Sequence, residues 1–382
     1  MNILIVSNSF PASTQDWVPQ FGWYFARCLK EKGHSVTVVA PERFIGWVDE
    51  GAVEVKRIPA RGVFLKDEGL NLSPPTKIPA LLRMHNQANR LLDELVTQKP
   101  FDIALALWAV PSGLWLSRLK RRQKIPFITW ALGSDIWQTG RMPFIKNIVR
   151  GALNNSDYLY ADGYELGREV THLCGRPCDF LPTIRILPTP QKIDDSQITG
   201  KKFFFFVGRW ERVKGVDLLI KAFAQARPEG AILLIYGIGS QRETYRRLID
   251  DHHAQDFIFL REKADAQTVS NYLAIAHACV IPSRNESIPI VLSDALQSRC
   301  PVIVSKVGDM GELVEKYTIG MAVLAEDVPG LAAAIRTMSD KEKVSFQPGI
   351  EEALKIFDVN NAVDKFLSKA YEIYQPHLRG VV

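Results

Sequence analysis

The chain has 382 residues, of which 47% are hydrophobic and 23% are charged. This length predicts about two domains, each large enough to bury its own core. The net charge is +5 at pH 7, which allows an anionic small molecule or an anionic membrane surface as a partner. The excess is too small for a nucleic-acid-binding protein, so we predict no nucleic-acid partner.

The amino-terminal sequence and the cysteines bear on the cellular compartment. The sequence MNILIVSNSF has a short apolar run and no basic residue, which is typical of a first strand and not of a secretory signal. The apolar region from Ile103 to Leu116 is too short to span a membrane. Five cysteines without a secretory signal favour a reducing cytoplasm. His172, Cys174 and Cys178 lack a fourth ligand at usable spacing, so we predict no metal site.

Strands and helices alternate along the first half of the sequence. The predicted strand Asn2–Val6 is followed by the loop Ala12–Pro19, the helix Gln20–Lys32 and the strand Ser35–Ala40. This β-α-β order predicts parallel strands. The other predicted elements of this half are the helices Lys77–Gln98 and Tyr164–Leu173 and the strands Phe101–Leu107, Pro126–Trp130 and Tyr158–Ala161.

A Pro-rich and then polar stretch, from Leu187 to Gly200, separates the two halves and is predicted to be the interdomain linker. The second half opens on the strand Lys202–Val207, whose four consecutive Phe indicate burial on both faces. The elements predicted after it are the helices Val216–Ala226, Asp265–His277 and Val359–Tyr374 and the strands Ala231–Tyr236, Phe257–Leu260 and Ala278–Ile281.

A basic loop joins the first strand and helix of the second half. Arg209 and Lys214 flank this loop, where an Arg fork and a Lys point charge could hold a diphosphate. A solvated basic loop is the alternative, and charge alone does not separate the two interpretations.

Two carboxylates lie further along the second half. We predict a helix that Asn285 or Ser287 caps and that runs to about Ser298. Glu286 lies at its mouth and Asp294 follows eight positions later, which places the carboxylates near one side and ~12 Å apart along the axis. The alternative is an ordinary surface Glu and a solvated Asp.

These stretches of the second half resemble glycosyltransferase family 4, the retaining nucleotide-sugar enzymes of the GT-B fold. In that family, Gly-Arg is followed by Lys-Gly, as in Gly208-Arg209 and Lys214-Gly215 here. A Glu then precedes a helix, and a second Glu follows after seven residues. The corresponding pair here is Glu286 and Asp294.

The resemblance implies site residues. Arg209 and Lys214 would neutralise the donor diphosphate and Glu286 would contact the donor sugar, so these three are the predicted catalytic residues. The predicted donor-binding residues are Asp294, which would hold the ribose, together with Gly208, Gly237, Ser287, Ile288, Pro289, Ile290, Lys263 and Asp135.

The resemblance also implies the fold: an α/β protein of the GT-B type, with two Rossmann-like domains whose parallel sheets face a cleft. We predict an acceptor-side domain at residues 1–190, a nucleotide-sugar-binding domain at 201–358, and a terminal helix within 359–382 that packs back on the first domain.

The implied function is retaining sugar transfer from a UDP- or GDP-sugar to an acceptor hydroxyl, without metal or other cofactor. The expected acceptor is a glycan or a lipid-linked glycan of the cell envelope. We expect a cytoplasmic protein that can act at the inner face of the cell membrane. A helix between Arg141 and Arg150, where basic and apolar residues alternate irregularly, could contact that surface or pack on the protein.

The sequence departs from the family pattern at three places. Leu132 stands where the family has a His that contacts the donor sugar, so Asp135 or Trp130 would have to supply that contact. Asp294 is shorter than the family's Glu, and Ser287–Ile290 replaces a Gly-rich segment. These departures leave a second function open, a catalytically weak or silent nucleotide-sugar-binding partner in glycan assembly. A phosphorylase-like or glucan synthase activity is a further rival within the same enzyme class.

Overall fold

The computed structural model describes residues 1–11, 20–42, 53–60, 63, 78–138 and 143–379. The predicted loop Ala12–Pro19 and the first residues of the basic-apolar segment, Arg141 and Met142, lie outside the described residues. The chain divides into two compact units. The first comprises Met1–Thr183 and Val359–Val382, and the second comprises Ile184–Asp358.

The first unit contains a seven-stranded sheet in which each described pair of neighbours is parallel. Its spatial order is β3-β2-β1-β4-β5-β6-β7. The strands are β1 Asn2–Ser7, β2 Ser35–Pro41, β3 Glu54–Ile58, β4 Ile103–Leu107, β5 Phe127–Ala131, β6 Tyr158–Ala161 and β7 Asp179–Phe180. The helices are α1 Phe21–Glu31, α2 Ile78–Gln98, α3 Leu114–Gln123, α4 Pro143–Asn155 and α5 Tyr164–Cys174.

Strands β1 and β4 form the centre of this sheet and are buried on both faces. Their register aligns Ile5 with Leu105, and both side chains are fully buried. Continuous apolar strands of this kind need a helical layer on each side. Helix α2 supplies part of one layer, because its buried residues recur every three or four positions along one stripe: Met84, Ala88, Leu92 and Leu95.

The second unit contains a six-stranded parallel sheet with the order β10-β9-β8-β11-β12-β13. The strands are β8 Lys202–Val207, β9 Ala231–Tyr236, β10 Ile258–Arg261, β11 Ala278–Ile281, β12 Val302–Ser305 and β13 Gly320–Val323. The helices are α6 Val216–Ala226, α7 Arg242–Asp251, α8 Ala266–Ile275, α9 Ile290–Gln297, α10 Met310–Tyr317, α11 Val328–Asp340 and α12 Gln347–Leu354.

The predicted helix start near Asn285 or Ser287 is wrong. Helix α9 begins at Ile290, with Pro289 at the N-cap in an extended conformation (φ −71°, ψ 142°). A proline disfavours the helical conformation in the residue before it, so the segment that carries Glu286 stays a loop. Glu286 and Asp294 therefore do not share a helix.

The last helix of the chain, α13 Val359–Arg379, belongs to the first unit. The fully buried Phe366 packs edge-on against Phe25 of α1, with the ring centroids 5.5 Å apart. The Tyr160 hydroxyl of β6 donates a hydrogen bond to the Lys365 carbonyl at 3.2 Å. Among the described residues, no helix combines the length and apolar character needed to cross a membrane.

Gly215, at the start of α6, provides a test of how closely two loops of the second unit approach. Its φ is +68°, and a Cβ there would lie 1.9 Å from the Pro282 carbonyl oxygen. We expect Gly215→Ala to lower the free energy of unfolding by at least about 3 kcal/mol, because it adds a backbone collision to the left-handed strain.

Gly230→Ala is the matched control. Gly230 has a similar φ of +63°, but nothing lies within 4 Å of its Cβ position. Strain alone should then cost about 1–2 kcal/mol. Urea unfolding of both variants measures the difference, and equal losses would show that the contact between Gly215 and Pro282 does not constrain the fold.

Candidate functional site

The loops that leave β8 and β9 pack directly on each other in the second unit. The Gly208 N–H donates to the Tyr236 carbonyl at 3.1 Å, and the Trp210 N–H donates to the Ile238 carbonyl at 2.8 Å. A Cβ at Gly237 would lie 2.0 Å from the Gly208 carbonyl oxygen. Only a residue without a side chain fits there, so both predicted glycines, Gly208 and Gly237, lie in this close contact.

The β8–α6 loop is also tied to the loop that follows β11. The Arg284 N–H donates to the Val213 carbonyl at 2.8 Å, and the Arg284 guanidinium forms a fork on the Asp217 carboxylate at 2.7 and 2.8 Å. Arg284 comes from the β11 side, whereas Asp217 lies in the first turn of α6. The guanidinium holds the pKa of the Asp217 carboxyl below its usual value, against the effect of burial.

This packing brings two of the predicted catalytic residues together. The Lys214 ammonium lies 2.6 and 2.9 Å from the two carboxylate oxygens of Glu286. Their side chains are 20% and 16% exposed, so the ion pair is mostly buried and still partly accessible to solvent. Arg209, the third predicted catalytic residue, is exposed. Within the part of the chain that the structure describes, we find no ion pair or hydrogen bond of its guanidinium.

The segment that precedes α9 lies against the turn after β12. Gly308 has a φ of +53°, and a Cβ there would lie 2.2 Å from the Glu286 carbonyl oxygen and 2.5 Å from that of Ser287. Ser287, Ile288 and Pro289 are buried, and Ile290 begins the helix half-buried. The residues that follow Glu286 are therefore buried, and their close contact with Gly308 fixes the backbone of this segment.

Asp294 is fully buried in α9, where an arginine occupies its carboxylate. The Arg185 guanidinium donates to it at 2.6, 3.0 and 3.1 Å. Gln297, one turn along α9, accepts from the Leu187 N–H and donates to the Arg185 carbonyl. Burial raises the pKa of the Asp294 carboxyl, and Arg185 opposes that shift. The predicted ribose ligand is thus engaged by the protein itself.

The remaining two predicted residues are Lys263 and Asp135. Lys263 is exposed on the loop after β10. Asp135 lies in the first unit, 2% exposed, and accepts from the backbone N–H of Ala109 at 2.6 Å and of Leu132 at 3.2 Å. Trp130, the other suggested substitute for the family's His, is also buried and donates its indole N–H to the Leu181 carbonyl. The donor-binding role of Asp135 stays a prediction.

Sequence reasoning missed two arginines that organise this region. Arg284 follows Pro282-Ser283, directly after the end of β11. Ligand-binding residues are expected at such strand ends, and this position is the signal that could have found it. Arg185 is 109 positions from its partner Asp294, and no local pattern announces that contact.

Comparisons with known proteins agree on the family of both halves. The family model described as "Glycosyl transferases group 1" matches residues 189–350, and the model described as "Glycosyl transferase 4-like" matches residues 3–163. The first corresponds to the second unit and the second to most of the first unit.

The chain is also similar to individual proteins and solved structures. The chain is 26% identical over 263 residues to N-acetyl-alpha-D-glucosaminyl L-malate synthase of Bacillus anthracis, covering 65% of this chain and 68% of that one. It is 23% identical over 380 residues to the putative teichuronic acid biosynthesis glycosyltransferase TuaC of Bacillus subtilis, covering 93% and 92%. The Anabaena Alr3699/HepE structure in complex with UDP-glucose superposes with a TM-score of 0.70 at 15% identity, covering 97% and 100%. The two parallel α/β domains thus have the GT-B fold.

Asp135 provides a test by pH. Burial raises the pKa of its carboxyl to about 6, although the N–H groups of Ala109 and Leu132 pull it down. Because the folded pKa lies above the usual value, the stabilisation is complete at low pH and is lost as the pH rises through about 6. Asp135→Asn should therefore gain up to about 3 kcal/mol relative to the wild type between pH 4 and pH 7.

Urea unfolding at a series of pH values measures this difference, with Asp251→Asn, a change of an exposed carboxylate, as the control. A difference between wild type and Asp135→Asn that is constant with pH would contradict the assigned titration.

The Arg185–Asp294 pair gives a second test. Arg185→Met should lower the free energy of unfolding by about 3–5 kcal/mol, since it leaves a buried carboxylate without its cation. The deficit should grow as the pH rises, because the pKa of Asp294 would rise further and ionising it would cost more.

The double variant Arg185→Met with Asp294→Asn should recover much of this loss. Urea unfolding of the wild type, of each single variant and of the double variant at pH 5 and pH 8 gives the double-mutant cycle. Strictly additive losses would mean that the two side chains do not act as a pair.

Proposed function

We propose that this chain, which belongs to the family 4-like glycosyltransferases of the GT-B fold, transfers a hexosyl residue from a nucleoside diphosphate sugar to an acceptor hydroxyl with retention of configuration. The proposed donor is a UDP- or GDP-sugar. The Alr3699/HepE structure, whose fold this chain shares, holds UDP-glucose, which supports a nucleotide-sugar donor.

The observation that carries the proposal is the ion pair between Lys214 and Glu286, with 2.6 Å between ammonium and carboxylate. It joins the loops after β8 and β11, at the carboxyl ends of adjacent parallel strands, where open α/β sheets bind ligands. A cation and a carboxylate side by side suit a ligand that carries both phosphate and hydroxyl groups.

The proposed chemistry is electrostatic. As the glycosidic bond to the diphosphate breaks, negative charge develops on the departing phosphate. Lys214 would stabilise that charge from the position that its ion pair with Glu286 fixes. Arg209 would add a second positive charge next to the diphosphate. The N–H groups at the start of α9 add a smaller contribution of the same sign. We assign the neutralisation to these groups, so the proposed reaction uses no metal or other cofactor.

Donor binding would exchange the partners of the ion pair. The diphosphate would take the Lys214 ammonium, which frees the Glu286 carboxylate to accept hydrogen bonds from the hydroxyl groups of the sugar. The buried segment Ser287–Pro289 holds Glu286 in place during this exchange. The ion pair thus compensates both charges before the donor binds.

The proposed acceptor is a glycan or lipid-linked glycan of the cell envelope, and peripheral contact with the membrane is part of the proposal. The support is TuaC, which is named for teichuronic acid biosynthesis and matches over 93% of this chain. The other relative is named for a synthase that joins N-acetylglucosamine and malate, so a small hydroxy acid is the alternative class of acceptor.

A second candidate function is a catalytically weak or silent nucleotide-sugar-binding partner. Two observations favour it: Leu132 replaces the family's His, and Arg185 occupies the Asp294 carboxylate. Transfer and donor-hydrolysis assays across UDP- and GDP-sugars separate the two functions. Binding of a nucleotide without turnover of any donor would select the silent partner.

The double variant Arg209→Ala with Lys214→Ala tests the catalytic assignment. We expect turnover to fall by at least about 10³-fold, because removing even one preorganised donor of a transition-state site costs about 10²–10³-fold. The thermal shift that UDP or GDP produces should also shrink, since the diphosphate loses both cations.

The matched control is Arg247→Ala with Lys341→Ala, which removes two exposed cations elsewhere in the same unit. It should keep both turnover and the thermal shift. If the Arg209–Lys214 variant turns over like the wild type, the assignment of the phosphate site is wrong.

A further inference from the structure

The residue that follows β4 in the first unit, Trp108, has an unusual backbone conformation. Its φ is 71° and its ψ is 140°. Glycine adopts this region readily, whereas a residue with a Cβ is strained in it. Such strain persists only where the surrounding structure enforces it, and it is concentrated at ligand-binding sites.

Hydrogen bonds to β5, to the turn after Trp108 and to Asp135 fix the chain on both sides of Trp108. Its own N–H donates to the Trp130 carbonyl of β5, and its carbonyl accepts from the Gly113 N–H. The next N–H, of Ala109, donates to the buried Asp135 carboxylate. The fold therefore holds this peptide from the β5 side and from its own turn.

A buried polar pair completes the support from the β1 side. The Asn8 amide donates to the Val110 carbonyl at 2.8 Å and accepts from the Ser112 hydroxyl at 2.7 Å. Asn8 is 8% exposed and Ser112 is fully buried. Buried polar side chains destabilise a fold unless they are paired, and here the pairing serves to fix the segment next to Trp108.

These hydrogen bonds fix the backbone that carries the Trp108 indole. The side chain is half-buried, and Phe21 packs edge-on against it with 6.1 Å between the ring centroids and 63° between the ring planes. Its place is the carboxyl end of the central strand β4, next to the end of β1. Ligands of open parallel sheets bind at that edge.

We propose that Trp108 is an aromatic platform in the first unit that binds a pyranose ring of the acceptor. The inference rests on the proposed function, because it presupposes an acceptor. The face of an indole is electron-rich and attracts the polarised C–H groups on the apolar face of a sugar ring. A single, rigid and half-buried ring suits one sugar better than a lipid chain, which needs a broad apolar surface.

The binding test uses fluorine NMR on the full chain labelled with 5-fluorotryptophan. Trp108→Phe assigns the Trp108 resonance by its disappearance. Methyl gluco-, galacto- and mannopyranosides, vesicles of phosphatidylglycerol without sugar, and UDP and GDP are then added separately. We expect at least one glycoside to shift the Trp108 resonance in a saturable way.

Three results of this binding test would overturn the inference. No shift with any glycoside while UDP or GDP still binds would reject the platform and leave the proposed function intact. A shift with the lipid vesicles alone would replace the sugar by a lipid. If no nucleotide binds either, the proposed function fails and this inference fails with it.

Variants then test the consequence for transfer to the glycoside that binds. Trp108→Ala and Trp108→Gly should each raise its KM by about tenfold. Trp108→Gly also removes the backbone strain, which offsets part of the stability lost with the packing of the indole on Phe21. A wild-type KM in Trp108→Gly would overturn the inference.

Tyr371→Ala is the matched control. Tyr371 is an exposed aromatic residue of α13, and its ring lies 6.2 Å from that of His34, which directly precedes β2. It therefore lies at the amino-terminal edge of the same sheet, away from the end of β4. Its KM for the glycoside should equal that of the wild type, and an equal rise in KM would make the Trp108 effect nonspecific and overturn the inference.

Discussion

The ion pair between Lys214 and Glu286 depends on how closely three loops of the second unit approach one another. The two residues are 72 positions apart, and neither comes from a regular strand. They meet because Gly215 lies against the Pro282 carbonyl and Gly308 lies against the Glu286 carbonyl, both at distances that leave no space for a side chain. The two charges have fixed positions because backbone contacts place the loops that carry them, and this agrees with the electrostatic role proposed for them.

The sequence predicts elements well where their buried residues follow a regular pattern. The strand Lys202–Val207 and the helix Val216–Ala226 are confirmed to the residue: a run of four Phe is typical of a strand buried on both faces, and a regular apolar stripe is typical of a helix packed on one face. The strand Glu54–Ile58 was missed. It contains Glu, Lys and Arg, and all but its last residue remain at least partly exposed at the edge of the sheet. An edge strand of this kind has no apolar alternation to detect.

The candidate site is less predictable than the fold because its contacts are distant in sequence. Motif spacing suggests Lys214 and Glu286 as members of one site, and the structure brings them together. It does not suggest Arg185, which precedes the predicted linker and is 109 positions from Asp294. The same holds for Trp108, where Asn8, Ser112 and Asp135 converge from three parts of the chain. Motif spacing predicts each of these residues separately, whereas the three side chains act together to fix the backbone around Trp108.

Asp294 of α9 keeps the charge of the family's Glu, but Arg185 engages its carboxylate. A carboxylate that accepts three hydrogen bonds from Arg185 has little capacity left for ribose hydroxyl groups. Its charge is also cancelled locally. The five residues Arg209, Lys214, Arg185, Glu286 and Asp294 together carry one net positive charge. An anionic diphosphate would compensate that charge, and the ion pair between Lys214 and Glu286 would then open at a lower electrostatic cost than in a site balanced without ligand. With the Asp294 carboxylate engaged by Arg185, the net positive charge of these five residues favours the diphosphate, and the affinity for the proposed donor would depend more on its diphosphate than on its nucleoside.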